Sequence, residues 1–175
     1  RRKYRLRTYA PEFDASVPVY LEEKNRINNR VFKHRTVLGP NHIDGFDNLD
    51  AMFDLKDEYP NNDLVERFIY RQCKSRESPV VLVSYLRRAF VSAYDINFRV
   101  TLDSDLRAVG SRHLFRTPPG EFLQCLAGFT ILEIKFARRI PSWFHRILQS
   151  FEITRISISK YCLAMETTGL AVDLS

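Results

Sequence analysis

The sequence predicts an α+β fold in which helices interrupt a series of antiparallel strands. Two observations lead to this prediction. Short stretches of alternating polar and apolar residues recur along the chain, and helical patterns separate them into groups. The chain has 175 residues, 45% of them hydrophobic, which is enough for a substantial core. We therefore expect residues 1–175 to form a single domain.

Three strands are predicted before residue 40. Residues 2–9, 16–26 and 30–37 alternate in polarity, and the asparagines of "INN" at 27–29 suit a hairpin turn. Together these segments predict an antiparallel meander.

Two helices are predicted after the meander. Gly39 and Pro40 end the strand pattern, and apolar residues then recur at helical spacing: Ile43, Phe46, Leu49, Met52 and Phe53. After Pro60, the segment "NNDLVERFIYRQCK" begins with Asn and Asp, which are favoured at helix N-caps.

Strand patterns return in the second half of the chain, at residues 79–91, 96–103 and 129–136. The segment "PSWFHRILQSF" then places Pro141 at the first position of a predicted helix. One side of that helix is apolar and carries Trp143, Phe144, Ile147, Leu148 and Phe151.

The positive charge is concentrated at the start of the chain. Residues 1–38 contain ten Lys or Arg and four acids, which accounts for the whole net charge of +6. In "RRKYRLRTY", Lys3, Arg5 and Arg7 occupy alternate positions, so an extended chain places them on one face. This distribution indicates a localised anionic partner.

The other predicted strands also carry cations on their polar faces. Splitting each strand by alternation gives these polar faces: Glu22, Lys24, Arg26 and Asn28; Lys33 and Arg35; Tyr85 and Arg87; Asn97, Arg99, Thr101 and Asp103; Glu133 and Lys135. Solvated sheet faces are the ordinary explanation for one such strand. Ordinary surfaces intersperse both signs of charge, however, and like charges facing each other destabilise a sheet. Closing the sheet with these faces inward would make a basic tunnel.

Six segments in order resemble the catalytic domain of the vacuolar transporter chaperone (VTC) family, a group of triphosphate tunnel metalloenzymes. They are "YRLRTY", "LEEKNRINNRVFKHR", "SYLRRAF", "FRVTLDSDLR", "ILEIKF" and "SISKY", and the likeness runs from Arg1 to about Met165. The resemblance implies a closed antiparallel β-barrel with helices packed outside. It also implies a polyphosphate polymerase that transfers the γ-phosphoryl group of ATP to polyphosphate with Mn²⁺ or Mg²⁺.

The resemblance implies roles for individual residues. The catalytic cations would be Arg5, Arg7, Lys24, Arg26, Lys33, Arg87, Arg99 and Lys160. The further substrate-binding residues would be Arg35, Tyr85, Lys135 and Ser159, and the metal ligand would be Glu133. The expected partners are ATP, polyphosphate, triphosphate and pyrophosphate.

This sequence departs from the family pattern in two places. The family has a lysine two residues before the serine of the Ser-Lys pair, where this chain has Ser157, and Arg155 is the candidate substitute. Family members also begin with an earlier strand bearing a glutamate and a lysine. We expect this chain to be a fragment without that strand.

Three functions stay open from the sequence. They are a VTC-type polymerase, a catalytically silent domain that binds polyphosphate, and a related triphosphatase or cyclase. A nucleic-acid partner is not expected, because the cations of "RVFKHR" alternate along a strand without aromatic residues for base stacking. Cys73, Cys125 and Cys162 lie far apart, which is typical of reduced thiols in the cytoplasm. No membrane span is expected, and membrane attachment would depend on segments outside this stretch.

Overall fold

A computed structural model describes residues 2–27, 30–43, 49–116 and 121–171. The chain divides into two compact units, Arg1–Val80 with Ser111–Pro118 and Val81–Gly110 with Pro119–Ser175. Both units contain helices and antiparallel strands, so the predicted α+β class is confirmed. The prediction that the chain forms a single domain stays a prediction.

The first unit contains the predicted meander. Strands β1 (Arg2–Arg7), β2 (Val19–Ile27) and β3 (Arg30–Leu38) form an antiparallel sheet in that order. The tip of the β2–β3 hairpin, at Asn28 and Asn29, lies outside the described residues.

Two helices follow the meander, α1 (Leu49–Glu58) and α2 (Asp63–Ser75). The Asn62 side chain caps α2 by accepting hydrogen bonds from the backbone N–H groups of Leu64 and Val65. In α1 the buried side is formed by Met52 and Leu55, whereas Phe53 is exposed. Phe46 lies outside the described residues.

One face of the β1–β3 sheet is covered by these helices. Buried side chains from both layers form its core: Leu21, Leu38, Met52, Leu55, Leu64, Val65, Phe68 and Ile69. Tyr4 and Leu6 of β1 also pack against this core. Because side chains alternate along a strand, the odd-numbered residues of β1 lie on the face of the sheet that is opposite to this core.

The second unit is built around a long central strand. Strand β4 (Val81–Val91) pairs with both ends of β5 (Arg99–Gly110), with one bulge between them. On the other edge of β5 lie β6 (Leu123–Gln124) and β7 (Ile131–Lys135).

Strand β5 continues beyond residue 103, where the predicted strand ended, and that boundary was wrong. The β4–β5 register shifts between Ser84 and Leu86, and Asp105 has a positive φ of 51°. This bulge interrupts the alternation of polarity that had defined the strand, although pairing resumes at Arg107.

Two helices complete the second unit, α3 (Ser142–Ser150) and α4 (Lys160–Thr167). The predicted helix after Pro141 is confirmed, and its Trp143 and Phe144 pack edge-on against Phe98. Helix α4 was not predicted, and it packs against β4 and β5. No helix in the described ranges is both long and apolar enough to span a bilayer.

The described strands pair as two separate sheets, and their pairing does not join the first strand of either sheet to the last. The closed barrel therefore stays a prediction.

Candidate functional site

The sheet of the first unit has a strongly basic face. Six cations project from the side opposite to the helices, and we call them the cationic face: Lys3, Arg5, Arg7, Lys24, Lys33 and Arg35. Five of the six are exposed, and Arg7 is half-buried. Strand alternation predicted this arrangement, and five of the predicted site residues meet here.

The register brings like charges into one row across the sheet. Lys24 in β2 lies opposite Lys3 in β1 and opposite Lys33 in β3. Directly opposed side chains have Cβ atoms about 4.5–5.5 Å apart, so this row of three ammonium groups is repulsive. A polyanion bound across the strands would relieve the repulsion.

The next row contains a carboxylate that partly neutralises the face. Glu22 lies opposite Arg5 and Arg35, and its carboxylate is 2.5 Å from Arg5 Nε and 3.8 Å from Arg7 Nη1. Among the described side chains of this face, Glu22 is the only acid. The cationic face therefore keeps a large positive excess.

Two tyrosines support guanidinium groups on this face. The Arg35 guanidinium lies 4.9 Å from the centre of the Tyr20 ring, and the Arg7 guanidinium lies 5.4 Å from that of Tyr9. Such cation–π contacts restrict the guanidinium planes without using their hydrogen-bond donors. The backbone of Arg26 pairs with Val31, but its side chain lies outside the described part of the chain.

The second unit gathers other predicted residues around a buried carboxylate. We call this group the carboxylate cluster: Tyr85, Arg87, Asp103, Glu133, Lys135 and Lys160. The Asp103 side chain is fully buried and accepts hydrogen bonds from Arg87 Nε at 2.6 Å and Arg87 Nη2 at 2.7 Å. Lys160 Nζ lies 2.7 Å from Asp103 Oδ2. One carboxylate therefore holds two cations from two different elements.

The second carboxylate of the cluster comes from the neighbouring strand. Glu133 lies 3.2 Å from Lys135 Nζ and 3.5 Å from Arg87 Nη2, and it is half-exposed. The Tyr85 ring lies beneath two cations, with Arg87 and Lys160 each 5.2 Å from its centre. Strands β4, β5 and β7 and helix α4 thus each contribute to one compact group.

The charges of the cluster keep its carboxylates ionised. Burial alone would raise the pKa of Asp103, but the hydrogen bonds from Arg87 and Lys160 outweigh it and lower that pKa below its ordinary value. At Glu133, burial is likewise outweighed by the charge of Lys135, and the pKa is lowered. The hydrogen bonds to Asp103 raise the pKa of Arg87.

Strand β5 also presents two polar atoms that are buried without a partner. They are Nε of Arg99 and Oγ1 of Thr101, among the side chains that the structure describes. Arg99 lies opposite Lys135 in β7, and Thr101 lies opposite Glu133. Unpaired buried polar atoms cost free energy, and a water molecule or a ligand could satisfy these two.

The Ser-Lys pair lies at the start of α4. The Ser159 hydroxyl caps the helix by accepting a hydrogen bond from the backbone N–H of Cys162, and Lys160 is the first helical residue. Ser157 and Arg155 lie upstream in an exposed segment without strand structure. Arg155 therefore has no strand face, and its proposed substitution for a lysine stays untested.

The Glu133 carboxylate is suited to a divalent ion that is also coordinated by phosphate oxygens of a ligand. Mg²⁺ commonly binds one or two carboxylates together with phosphate oxygens, and a single partly exposed carboxylate meets that need. Within the described ranges, no group of three or more His, Cys, Asp or Glu side chains forms a dedicated metal cage.

Sequence reasoning placed Glu22 and Asp103 on polar strand faces but assigned neither carboxylate a role in these surfaces. Their partners could not be read from the sequence, because these depend on the register between strands.

The fold and its clustered charges define a class of protein: an antiparallel α+β protein with a cationic sheet face in one unit and a cluster of cations and carboxylates in the other. The model of the VTC domain family matches residues 1–168. This chain therefore belongs to the VTC domain family, and the resemblance drawn from its sequence is confirmed. The family is associated with polyphosphate chemistry. No curated protein matches the chain.

Proposed function

We propose that this chain is a polyphosphate polymerase domain of the VTC type. It transfers the γ-phosphoryl group of ATP to a polyphosphate chain within a basic tunnel, in the presence of Mn²⁺ or Mg²⁺. The membership in the VTC family supports the reaction class, and the two basic surfaces support the choice of substrate. The three cysteines are free thiols, which supports a cytoplasmic location.

One observation gives the main support for linked phosphates as the substrate class. The Lys3–Lys24–Lys33 row places three lysines directly opposite one another on adjacent strands. Neighbouring strands are separated by about 4.8 Å, so the row offers a regular series of positive charges. Linked phosphates match such a series, because each unit of the chain brings its own negative charge.

The reaction needs positioning and charge neutralisation more than covalent chemistry from the protein. The cations of the cationic face would hold phosphate oxygens, with arginines binding in a bidentate manner and lysines as compact charges. In the carboxylate cluster, Arg87 and Lys160 would contact the transferred group and stabilise the charge that develops on it.

Glu133 is the residue that would hold the divalent ion. The ion would neutralise the phosphate oxygens and favour departure of the leaving group. Lys135 lies 3.2 Å from Glu133, which keeps that carboxylate oriented and ionised.

The test is incubation of the protein with ATP and Mn²⁺, with products resolved by ³¹P NMR and gel electrophoresis. The expected product is long-chain polyphosphate. Release of orthophosphate or formation of cyclic AMP would instead indicate a triphosphatase or a cyclase.

A pair of adjacent arginines supplies a matched control. Arg87 belongs to the carboxylate cluster, whereas Arg88 projects from the other face of β4 and is exposed. We expect Arg87→Gln to abolish polymer formation and Arg88→Gln to retain it, with thermal unfolding used to verify that both variants are folded. Equal activity of the two variants would contradict the assigned site.

A specific observation also favours a second function, a catalytically silent domain that binds polyphosphate. The family lysine near Ser159 is replaced by Ser157, which lies in an exposed segment without strand structure. Tight binding of polyphosphate without any turnover of ATP would select this second function.

A further inference from the structure

The carboxylate cluster contains a buried acid to which the proposed reaction assigns no role. Asp103 is at the centre of the second unit, on β5 between β4 and β7. Its side chain is fully buried, and three short contacts at 2.6–2.7 Å bind both of its oxygens. A carboxylate so enclosed cannot itself contact a ligand.

The contacts of Asp103 leave its partners able to bind something else. The carboxylate holds the Nε and Nη2 edge of Arg87, and Arg87 Nη1 forms no hydrogen bond with the described residues. Lys160 gives one of its three donors to Asp103. Both cations are thus fixed on one side and have donors left on the other.

A counter-charge favours the close approach of these two cations. Arg87 and Lys160 come from a strand and a helix, and each lies 5.2 Å from the centre of the Tyr85 ring. Their like charges repel, and a counter-charge in contact with both offsets that repulsion before a ligand arrives. Asp103 supplies that charge from the interior.

A bound phosphate would not displace Asp103. Breaking the contacts would leave a fully buried carboxylate without partners, at a cost that the ligand's own contacts with the same two cations would have to exceed. The donors that remain unused, such as Arg87 Nη1, offer a less costly way to bind.

We propose that Asp103 is a positioning residue that holds Arg87 and Lys160 side by side for linked phosphates and keeps its contacts while the ligand is bound. This inference rests on the proposed function, because it takes a phosphate chain as the ligand. Asp103 acts through its partners and does not contact the ligand.

The test is a double-mutant cycle read by tripolyphosphate affinity, using Asp103→Asn, Arg87→Gln and the double variant. Such a cycle isolates the coupling between two residues. In the wild-type background, Arg87→Gln should weaken affinity at least tenfold. In the Asp103→Asn background, where Arg87 is no longer held, it should weaken affinity less than threefold. The Arg88→Gln exchange should be nearly neutral in both backgrounds.

The outcomes separate this proposal from the proposed function. Coupling of the stated size supports positioning even if the protein fails to turn over ATP, which would overturn only the polymerase. Equal losses for Arg87→Gln in both backgrounds would overturn positioning while leaving the polymerase intact. Failure of the wild-type protein to bind tripolyphosphate would overturn both.

A second measurement needs no Asp103 variant and so does not depend on whether Asp103→Asn folds. The Nε–H resonance of Arg87, assigned with Arg87→Lys, should be visible in ¹H–¹⁵N NMR spectra of the wild-type protein. Its position should persist when tripolyphosphate is added, because the bond to Asp103 is kept. Disappearance or a large shift of this resonance on saturation would show that phosphate replaces Asp103, and would overturn the proposal.

Discussion

The cationic face and the carboxylate cluster contain the same kinds of residue but balance their charges in opposite ways. In the cationic face, six described cations share one acid, the half-buried Glu22. In the carboxylate cluster, Arg87, Lys135 and Lys160 are matched by Asp103 and Glu133, and Asp103 is fully buried.

Because of this difference, a bound ligand should affect the two surfaces differently. The carboxylate cluster is already organised by its internal acids, so a ligand finds its cations in place. The cationic face keeps an excess of positive charge beyond its one acid, Glu22, and a polyanion would reduce the repulsion between its cations. We therefore expect stability to depend on internal acids in the second unit and on bound anions in the first.

The largest effect should come from removing the buried acid of the carboxylate cluster, and removing the acid of the cationic face provides the contrast. Asp103→Asn breaks a buried ion pair and should lower the free energy of unfolding by about 3–5 kcal/mol. Glu22→Gln removes contacts near the surface and should cost about 0–1 kcal/mol. Chemical denaturation of both variants measures this contrast. Similar losses of unfolding free energy in the two variants would contradict the claim that only the carboxylate cluster depends on its internal acid.

Ligand binding should have the next largest effect. Tripolyphosphate with Mn²⁺ at 100 times its dissociation constant should stabilise the fold by about 2.7 kcal/mol, which raises Tm by about 5–10 °C. Orthophosphate at the same concentration should act much less, since it cannot bridge the Lys3–Lys24–Lys33 row. Thermal unfolding with each anion provides the comparison, and identical shifts would speak against a site for linked phosphates.

Acid should weaken the carboxylate cluster. The pKa values of Asp103 and Glu133 are lowered in the folded state, so their stabilising contribution is complete above about pH 4. It is lost as the pH falls through these lowered values. Unfolding followed between pH 6 and pH 2 should show this loss in the wild-type protein and a smaller one in Asp103→Asn. An equally steep loss in the variant would contradict the assignment.

The smallest effect concerns the cationic face without ligand. Lys24→Gln removes the central charge of the lysine row and should leave stability unchanged or raise it by about 0.2–1 kcal/mol. A clear loss of stability in the absence of anions would mean that Lys24 has a stabilising partner, and the repulsion inferred from the register would be wrong.

Much of the cationic face could be predicted from the sequence, because the period of two along a strand assigns residues to faces without further information. The site roles of Tyr85, Arg87, Glu133, Lys135 and Lys160 came instead from resemblance to a family, since these residues lie in three separate elements. Periodicity alone does not bring such distant segments together.

The central role of Asp103 could not be predicted. Its pairing with Arg87 depends on the β4–β5 register, and the bulge at Asp105 changes that register within the same strand. Helix α4 was missed for a related reason. Its first residue, Lys160, follows a stretch of alternating polarity, and the cap by Ser159 becomes evident only from the folded backbone.

The most direct measurement is the affinity for tripolyphosphate, by calorimetry, of Lys24→Gln and its matched control Lys56→Gln. Both lysines are exposed and belong to the first unit, but Lys56 lies on α1, away from the cationic face. A charge-assisted hydrogen bond contributes about 1.5–3 kcal/mol, so Lys24→Gln should weaken binding at least tenfold. Lys56→Gln should stay within about twofold of the wild-type protein. Equal affinities for the two variants would contradict the claim that the cationic face binds linked phosphates.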